Sequence, residues 1–386
     1  MINEVSFSQP LIEEEDIQAV EEALRSGWIS RGPKVSEFEE KFKNIVGAED
    51  ALALNSCTAG LHLALKVLNL KEGDEVITTT MTFAATANVI EHVGARPIFV
   101  DVEQDSLLLD PKKLQLAITK KTKAIIVVHF AGAAADMTTI NDIAYKNNIH
   151  VIEDAAHAFP TKYNDNYIGS SNNLVAFSFY ANKNITTGEG GMLVGPKELI
   201  KKARILSLHG LDTDAWARFT QKGKKDYDVI VPGYKYNMTD VQAALGISQL
   251  NKVFEMQSKR KSFYKRYIEK FNNSIFFDYL NFQSIEDSSV HLMIIKLNLN
   301  KLSINRDKFI EELKNYNIST SIHYKPLHMH NYYKDKYNFN SNDYPVAYNL
   351  YERIISLPIS PKLSFEEIDY VSSKVLTICE KFKSNL

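Results

Sequence analysis

At 386 residues the chain can bury a large core, and its length favours about two to three structural units over one small module. Its 45 Lys and Arg against 47 Asp and Glu leave a formal charge of −2, which offers no global electrostatic case for nucleic acid. Two cysteines far apart, Cys57 and Cys379, give no disulfide framework. The acidic start MINEVSFSQPLIEEEDIQ lacks a signal pattern, and no apolar run reaches about 18 residues, so a soluble cytoplasmic protein with no membrane partner is expected.

DIQAVEEALRSG reads as an amphipathic helix stopped by Gly27, and KVSEFEEKFKNIVGA as a second stopped by Gly47. A rhythm of short apolar strands and helices follows. ALALNS leads into TAGLHLALKVLNL, EVITTT into TFAATANVIEHVG, and RPIFVDV into LQLAITKKTKAIIVVHF. MTTINDIAYKNN, HVIEDAA, VAFSF and GGMLVG complete the series. Six or seven such strands interleaved with helices predict a mostly parallel sheet covered on both faces. From Leu206 to Asp240 the rhythm is lost, and long irregular segments in compact proteins are often functional. DVQAALGISQLNKVFEMQSKRKSFYKRYIEKF then reads as one long helical stretch. Strand SVHLMIIKLN and helices RDKFIEELKNYN and SFEEIDYVSSKVLTICEKF suggest an α+β C-terminal domain, and MHNYYKDKYNFNSNDY an exposed loop.

Four local features carry chemistry. Asn55-Ser56-Cys57-Thr58-Ala59-Gly60 lies between strand and helix, where backbone N–H groups and hydroxyls can meet an anion, although the same letters suit a plain N-cap. Phe83, in MTFAAT, can cover a planar ligand or fill the core. Asp154 ends the strand HVIED at the edge where ligands of open α/β sheets collect, but an Asp there also caps turns. Lys183 follows Asp154 by 29 residues, with Ser178 before it and TTGEGG after it. A lysine after a buried strand can lose solvation and become a nucleophilic amine, or simply reach into water. In this order the four have one economical explanation, pyridoxal 5′-phosphate. Its aldehyde needs an amine, its ring nitrogen a carboxylate, its phosphate hydroxyl and backbone donors, and its ring an apolar face.

Across nearly its whole length the chain resembles the DegT/DnrJ/EryC1/StrS family of sugar-nucleotide aminotransferases. The resemblance rests on GWISRGP with Val35 and Phe38-Glu39, NSCTAGLHLAL, MTFAATAN, VHFAGAAADM, IEDAAH, the Lys183 segment and PGYKYNMTD. It implies the pyridoxal phosphate fold type I: a large domain with a mixed, mostly parallel seven-stranded sheet, here residues 1–250, and a smaller α+β C-terminal domain, residues 251–386. It further implies that Lys183 is the Schiff-base lysine, Asp154 pairs with the ring nitrogen and Phe83 stacks on the ring. His157 would lie near the ring hydroxyl, and Thr58, the Ala59 backbone and Ser178 would hold phosphate. Asn237 would reach the phosphate of a second subunit in a homodimer with active sites at the interface.

Trp28, Ser30 and Arg31 match the sugar-nucleotide entrance. Ser207-Leu208-His209-Gly210 with Asp214-Ala215-Trp216 looks most like enzymes acting at C4 of UDP-linked 4-keto sugars, and His323 and Tyr324 belong to a segment that approaches the sugar nucleotide. Lys222, Lys224 and Lys225 are further candidates for its phosphates, or a solvated charge run. No metal is implied. The implied reaction moves an amino group from L-glutamate through pyridoxamine phosphate to the sugar. Alternatives on the same scaffold are an aminotransferase for dTDP- or GDP-linked sugars, a C3 aminotransferase, a sugar dehydratase, or a non-catalytic binding protein. Relatives that dehydrate typically carry histidine where this chain has Lys183.

Overall fold

A computed structural model describes residues 4–212, 227–272 and 274–384. Asp214, Ala215, Trp216, Lys222, Lys224 and Lys225 lie outside the described residues. Two helices open the chain, α1 (Glu14–Arg25) and α2 (Pro33–Val46). Proline suits the first turn of α2, where its missing N–H is not needed, and Gly47 ends it at φ 73°, a left-handed conformation glycine adopts freely.

The alternating series then unfolds as expected: β1 (Asp50–Leu54), α3 (Cys57–Val67), β2 (Glu75–Thr79), α4 (Ala84–His92), β3 (Arg96–Val100), α5 (Pro111–Ala117), β4 (Thr122–Val128), α6 (Met137–Asn147) and β5 (His150–Asp154). A two-residue hairpin, β6 (Lys162–Tyr163) and β7 (Asn166–Tyr167), precedes β8 (Leu174–Ser178), β9 (Gly191–Gly195) and α7 (Lys197–Ser207). Seven strands form one sheet in the order β1-β9-β8-β5-β4-β2-β3. Only β9 runs antiparallel to its neighbours. Helices cover both faces, which is why β2, β4 and β8 read as apolar runs rather than alternating ones.

The long helical stretch is two helices, α8 (Asp240–Asn251) and α9 (Val253–Phe271), broken at Lys252 (φ −113°, ψ 8°). The Lys252 amine is held at 2.6 Å by both Glu13 and the buried Asp16 of the α1 region, so the joint is anchored from outside the helix. A second sheet, β10 (Phe277–Tyr279), β11 (Met293–Leu297) and β12 (Ile354–Leu357), packs with α10 (Arg306–Asn315) and α13 (Phe365–Lys381). Residues 329–344 are not an exposed loop: they contain α11 (Asn331–Tyr337), and a following helix, α12, spans Pro345–Tyr351. Tyr333, Phe339 and Tyr344 pack on Phe99 within 6.4 Å between ring centroids, an aromatic face hidden by the polar composition. One hydrophobic cluster runs from Ile77 and Ile125 of the large sheet to Phe263, Ile295 and Val375, and Val5 bridges Ile318, so the two units share a core and the N-terminal residues join the C-terminal unit. Among the described residues no helix is long and apolar enough to cross a membrane.

Candidate active site

The parallel strands deliver their following residues to one edge of the sheet, and a cavity of about 460 Å³ opens there. Ser56, Thr58, Phe83, Asp154, His157, Ser178, Lys183, His323 and Tyr324 all line it, which joins residues from five separate stretches of the chain. A larger cleft of about 1250 Å³ lies elsewhere, lined by several carboxylates and Lys296; it takes in Ala133, Ala134 and Asp136 of VHFAGAAADM but none of the residues given a catalytic, cofactor or substrate role above.

At one end of the cavity Ser56 caps α3, its Oγ accepting from Ala59 N–H at 3.1 Å. Ala59 is thereby committed to the cap and does not line the cavity, while the first-turn N–H groups of Cys57 and Thr58 have no such partner. Ser178 Oγ accepts from Tyr180 N–H at 3.4 Å, which leaves its own O–H to donate. Thr58 adds a second hydroxyl to this end.

Deeper in, Asp154 is 5 % exposed. Thr86 Oγ1 donates to its Oδ2 at 2.8 Å and Ala156 N–H to its Oδ1 at 3.1 Å. Burial raises its pKa, partly opposed by Thr86, Ala156 and Lys183. The Lys183 amine makes no hydrogen bond or ion pair with a described residue; burial depresses it to about 8, partly opposed by Cys57 and Asp154. Both groups are therefore pushed toward neutrality, the lysine toward a free amine.

His157 Nδ1 accepts from Ala131 N–H at 3.3 Å and its Nε2 lies 3.0 Å from Tyr324 Oη. Burial, then Lys183 and His323, keep its pKa well below the usual value, so the ring is neutral and its one proton sits on Nε2. It therefore donates to Tyr324, whose own O–H is left to turn elsewhere. Burial likewise lowers His323 to about 4, and its Nδ1 lies 2.8 Å from Ser356 Oγ. Phe83, 62 % exposed, stands at the N-terminus of α4 with its ring 6.0 Å from that of Tyr324.

Besides Ala59, five predicted residues lie outside this cavity. Trp28 is exposed, the Ser30 carbonyl accepts from Asp240 N–H, and Arg31 is buried against Glu39 at 3.7 Å. His209 is exposed beyond α7 with its N–H on Tyr234 O. Asn237 is buried against its own chain, donating to Met238 O and accepting from Lys235. The sequence reading missed Cys57, Tyr180, Asn182 and Glu189, which line the cavity, and Thr86, which bonds Asp154 from outside it. Cys57 and Thr86 stood inside the quoted motifs, whereas Glu189 was visible only as part of TTGEGG.

The donor set fits pyridoxal phosphate: uncommitted N–H and O–H donors at one end, an amine without a partner, a buried carboxylate fixed at both oxygens, and a flat ring at the mouth. This fold and site define a pyridoxal phosphate enzyme of fold type I. The chain belongs to the DegT/DnrJ/EryC1/StrS aminotransferase family, whose profile matches residues 10–376. It is 45% identical over 377 residues to the spore coat polysaccharide biosynthesis protein SpsC of Bacillus subtilis (strain 168), covering 96% of each chain. To the UDP-4-amino-4-deoxy-L-arabinose–oxoglutarate aminotransferase of Shewanella sediminis it is 40% identical over 385 residues, covering 98% of this chain and 99% of the other. The PMP-form structure of the putative sugar aminotransferase Spr1654 from Streptococcus pneumoniae superposes with a TM-score of 0.92 at 37% identity, over 98% and 99% of the two chains. The PLP-form of that protein gives 0.91.

Proposed function

We propose that this sugar aminotransferase moves an amino group from L-glutamate to C4 of a UDP-linked 4-keto sugar, with Lys183 and Asp154 as its catalytic residues. The observation that carries the catalytic assignment is the placement of an unpartnered, partly desolvated lysine and a fixed carboxylate in one cavity. Resemblance to a UDP-linked amino sugar transferase supports the substrate class. Pyridoxal phosphate, when bound, supplies an aldehyde that takes an amino group and a ring that draws off electron density.

Lys183 Nζ would hold the group, and its free amine, of depressed pKa, would be a base already at the site of proton transfer. It takes a proton from the donor's α-carbon and returns one to the sugar carbon. Asp154, held by Thr86, keeps a proton on the ring nitrogen. Cys57 and Thr58 N–H with the Thr58 and Ser178 hydroxyls bind phosphate. Phe83 covers the ring, and the exposed faces of Phe83 and Tyr180 are closed by a second copy of the chain that supplies Asn237.

The purified protein should show a visible absorbance band that fades on addition of L-glutamate and returns with a UDP-linked 4-keto sugar. Lys183→Ala should lose the band and slow turnover on the order of 10²–10⁴-fold, the range for a removed acid–base group. Asp154→Asn should retain some cofactor and slow the proton transfer. Full turnover by Lys183→Ala sinks the assignment, and return of the band only with dTDP- or GDP-linked sugars sinks the choice of nucleotide.

A further inference from the structure

The residue immediately after Lys183 turns the other way. Asn184 is 8 % exposed, and its side chain reaches out of the lysine loop into the C-terminal unit. Its Nδ2 donates to Ser289 O at 2.8 Å and to Gln257 Oε1 on α9 at 3.3 Å, and its Oδ1 lies 3.0 Å from His291 Nδ1. The orientation of each group is forced. Ser289 O only accepts, so the amide nitrogen faces it and the amide oxygen faces His291. Gln257 is fixed likewise, because its Nε2 meets Ser288 O at 3.0 Å and leaves its oxygen toward Asn184. His291 must then carry its proton on Nδ1, and burial holds its pKa well below the usual value, so the ring is neutral.

This segment is itself wedged into the site. Ser289 Oγ donates to His157 O at 2.6 Å and Ser289 N–H meets Thr161 Oγ1 at 3.1 Å. His291 N–H donates to Ala131 O at 2.9 Å, and the His291 ring centroid lies 4.4 Å from that of His157. Gly132, at φ 97°, permits the approach, since a Cβ there would stand 2.8 Å from Val290 N. On the other side of Lys183 its own N–H closes a turn onto Tyr180 O at 2.9 Å. The lysine's backbone is therefore held from both directions, on one side by its own loop and on the other by Asn184.

We propose that Asn184 is a positioning residue: by tying the chain after Lys183 to residues 288–291 and to α9, it sets where the Lys183 amine stands in the cavity. The proposal rests on the reading of Lys183 as the residue that holds the cofactor. It makes the placement of that amine depend on the C-terminal unit, whereas Asp154 depends on its strand and on Thr86. His291 is part of the device through its Nδ1–H alone.

The test uses the holoenzyme and three variants. Asn184→Ala removes the tie, and His291→Leu removes one of its bonds. His291→Asn keeps a donor where Nδ1 stood while losing the same ring contact with His157. The readouts are the pH midpoint of the visible band, which reports protonation at the Lys183 nitrogen, and the single-turnover rate of its fading with L-glutamate. Asn184→Ala and His291→Leu are expected to move the midpoint by about one pH unit or more, a tenfold change in that equilibrium, and to slow fading about tenfold, with His291→Asn near wild type.

If both variants keep the wild-type midpoint and rate and lose only thermal stability, Asn184 is structural and the proposal is overturned. Equal effects of His291→Leu and His291→Asn also overturn it, because the hydrogen bond would then not matter. Should Asn184→Ala fail to fold, the two His291 variants decide alone. A wild-type protein without the band, or a Lys183→Ala protein that keeps it, removes the reading of Lys183 and is told apart by those two controls.

Discussion

Lys183 and Asp154 share a cavity, and desolvation works on them in opposite senses, lowering one pKa and raising the other. With an ammonium that deprotonates near 8, the cofactor-free protein should be modified at Lys183 by an amine-specific acylating reagent with a midpoint near pH 8, measured by peptide mass spectrometry. A midpoint at the ordinary lysine value of 10.5 would show that the amine is solvated. The folded protein releases this proton more easily than the unfolded chain. Stability contributed by the group therefore rises between about pH 8 and 10.5 and is absent below, an increment that Lys183→Met should abolish in denaturant titrations. Lys183 and Asp154 were legible in the sequence because Asp154 ends one apolar strand and Lys183 follows another by five residues. Tyr324 as the acceptor for His157 was not legible, because that bond joins residues 167 positions apart and nothing local marks it.

Element boundaries were legible wherever period and capping agreed, as in α2 with its leading proline and closing glycine. They failed where a distant partner decided. The break between α8 and α9 depends on carboxylates from the α1 region, and α11 depends on Phe99, more than 200 positions earlier. Gly191, the first residue of β9, shows how closely elements meet under the turn that opens α3: a Cβ there would fall within the backbone of Ser56 and Cys57. Gly191→Ala should destabilise the protein by about 1–3 kcal/mol, the usual cost of overpacking, and weaken cofactor retention more than a surface change of equal size. Equilibrium dialysis against pyridoxal phosphate, with chemical denaturation alongside, checks both effects. Unchanged retention would place the phosphate elsewhere.

At the scale of the molecule, the shared core between the large sheet and the C-terminal unit explains why His323, Tyr324 and His291 stand beside residues of the first 200. A division by sequence near residue 250 therefore passes through the site's surroundings. The proposed second copy gives a further expectation. Lys183→Ala and Asn237→Ala proteins, each impaired alone, should regain activity when mixed through partial unfolding and refolding, because a hybrid dimer holds one site with both residues intact. Absence of any recovery in a verified hybrid would place Asn237 in the service of its own chain, where its present bonds to Met238 and Lys235 lie.

The one antiparallel strand of the large sheet has a kinetic consequence. Because β8 and β9 are neighbours with Ser178 paired to Gly191, the segment bearing Lys183 is a hairpin loop whose ends the sheet itself brings together. Loop closure there spans few residues, and such contacts form early and fast, while pairings across long stretches form slowly. The arch that carries the amine is thus drawn together by a local event, and the distant segments that aim it arrive with the slower assembly of the core.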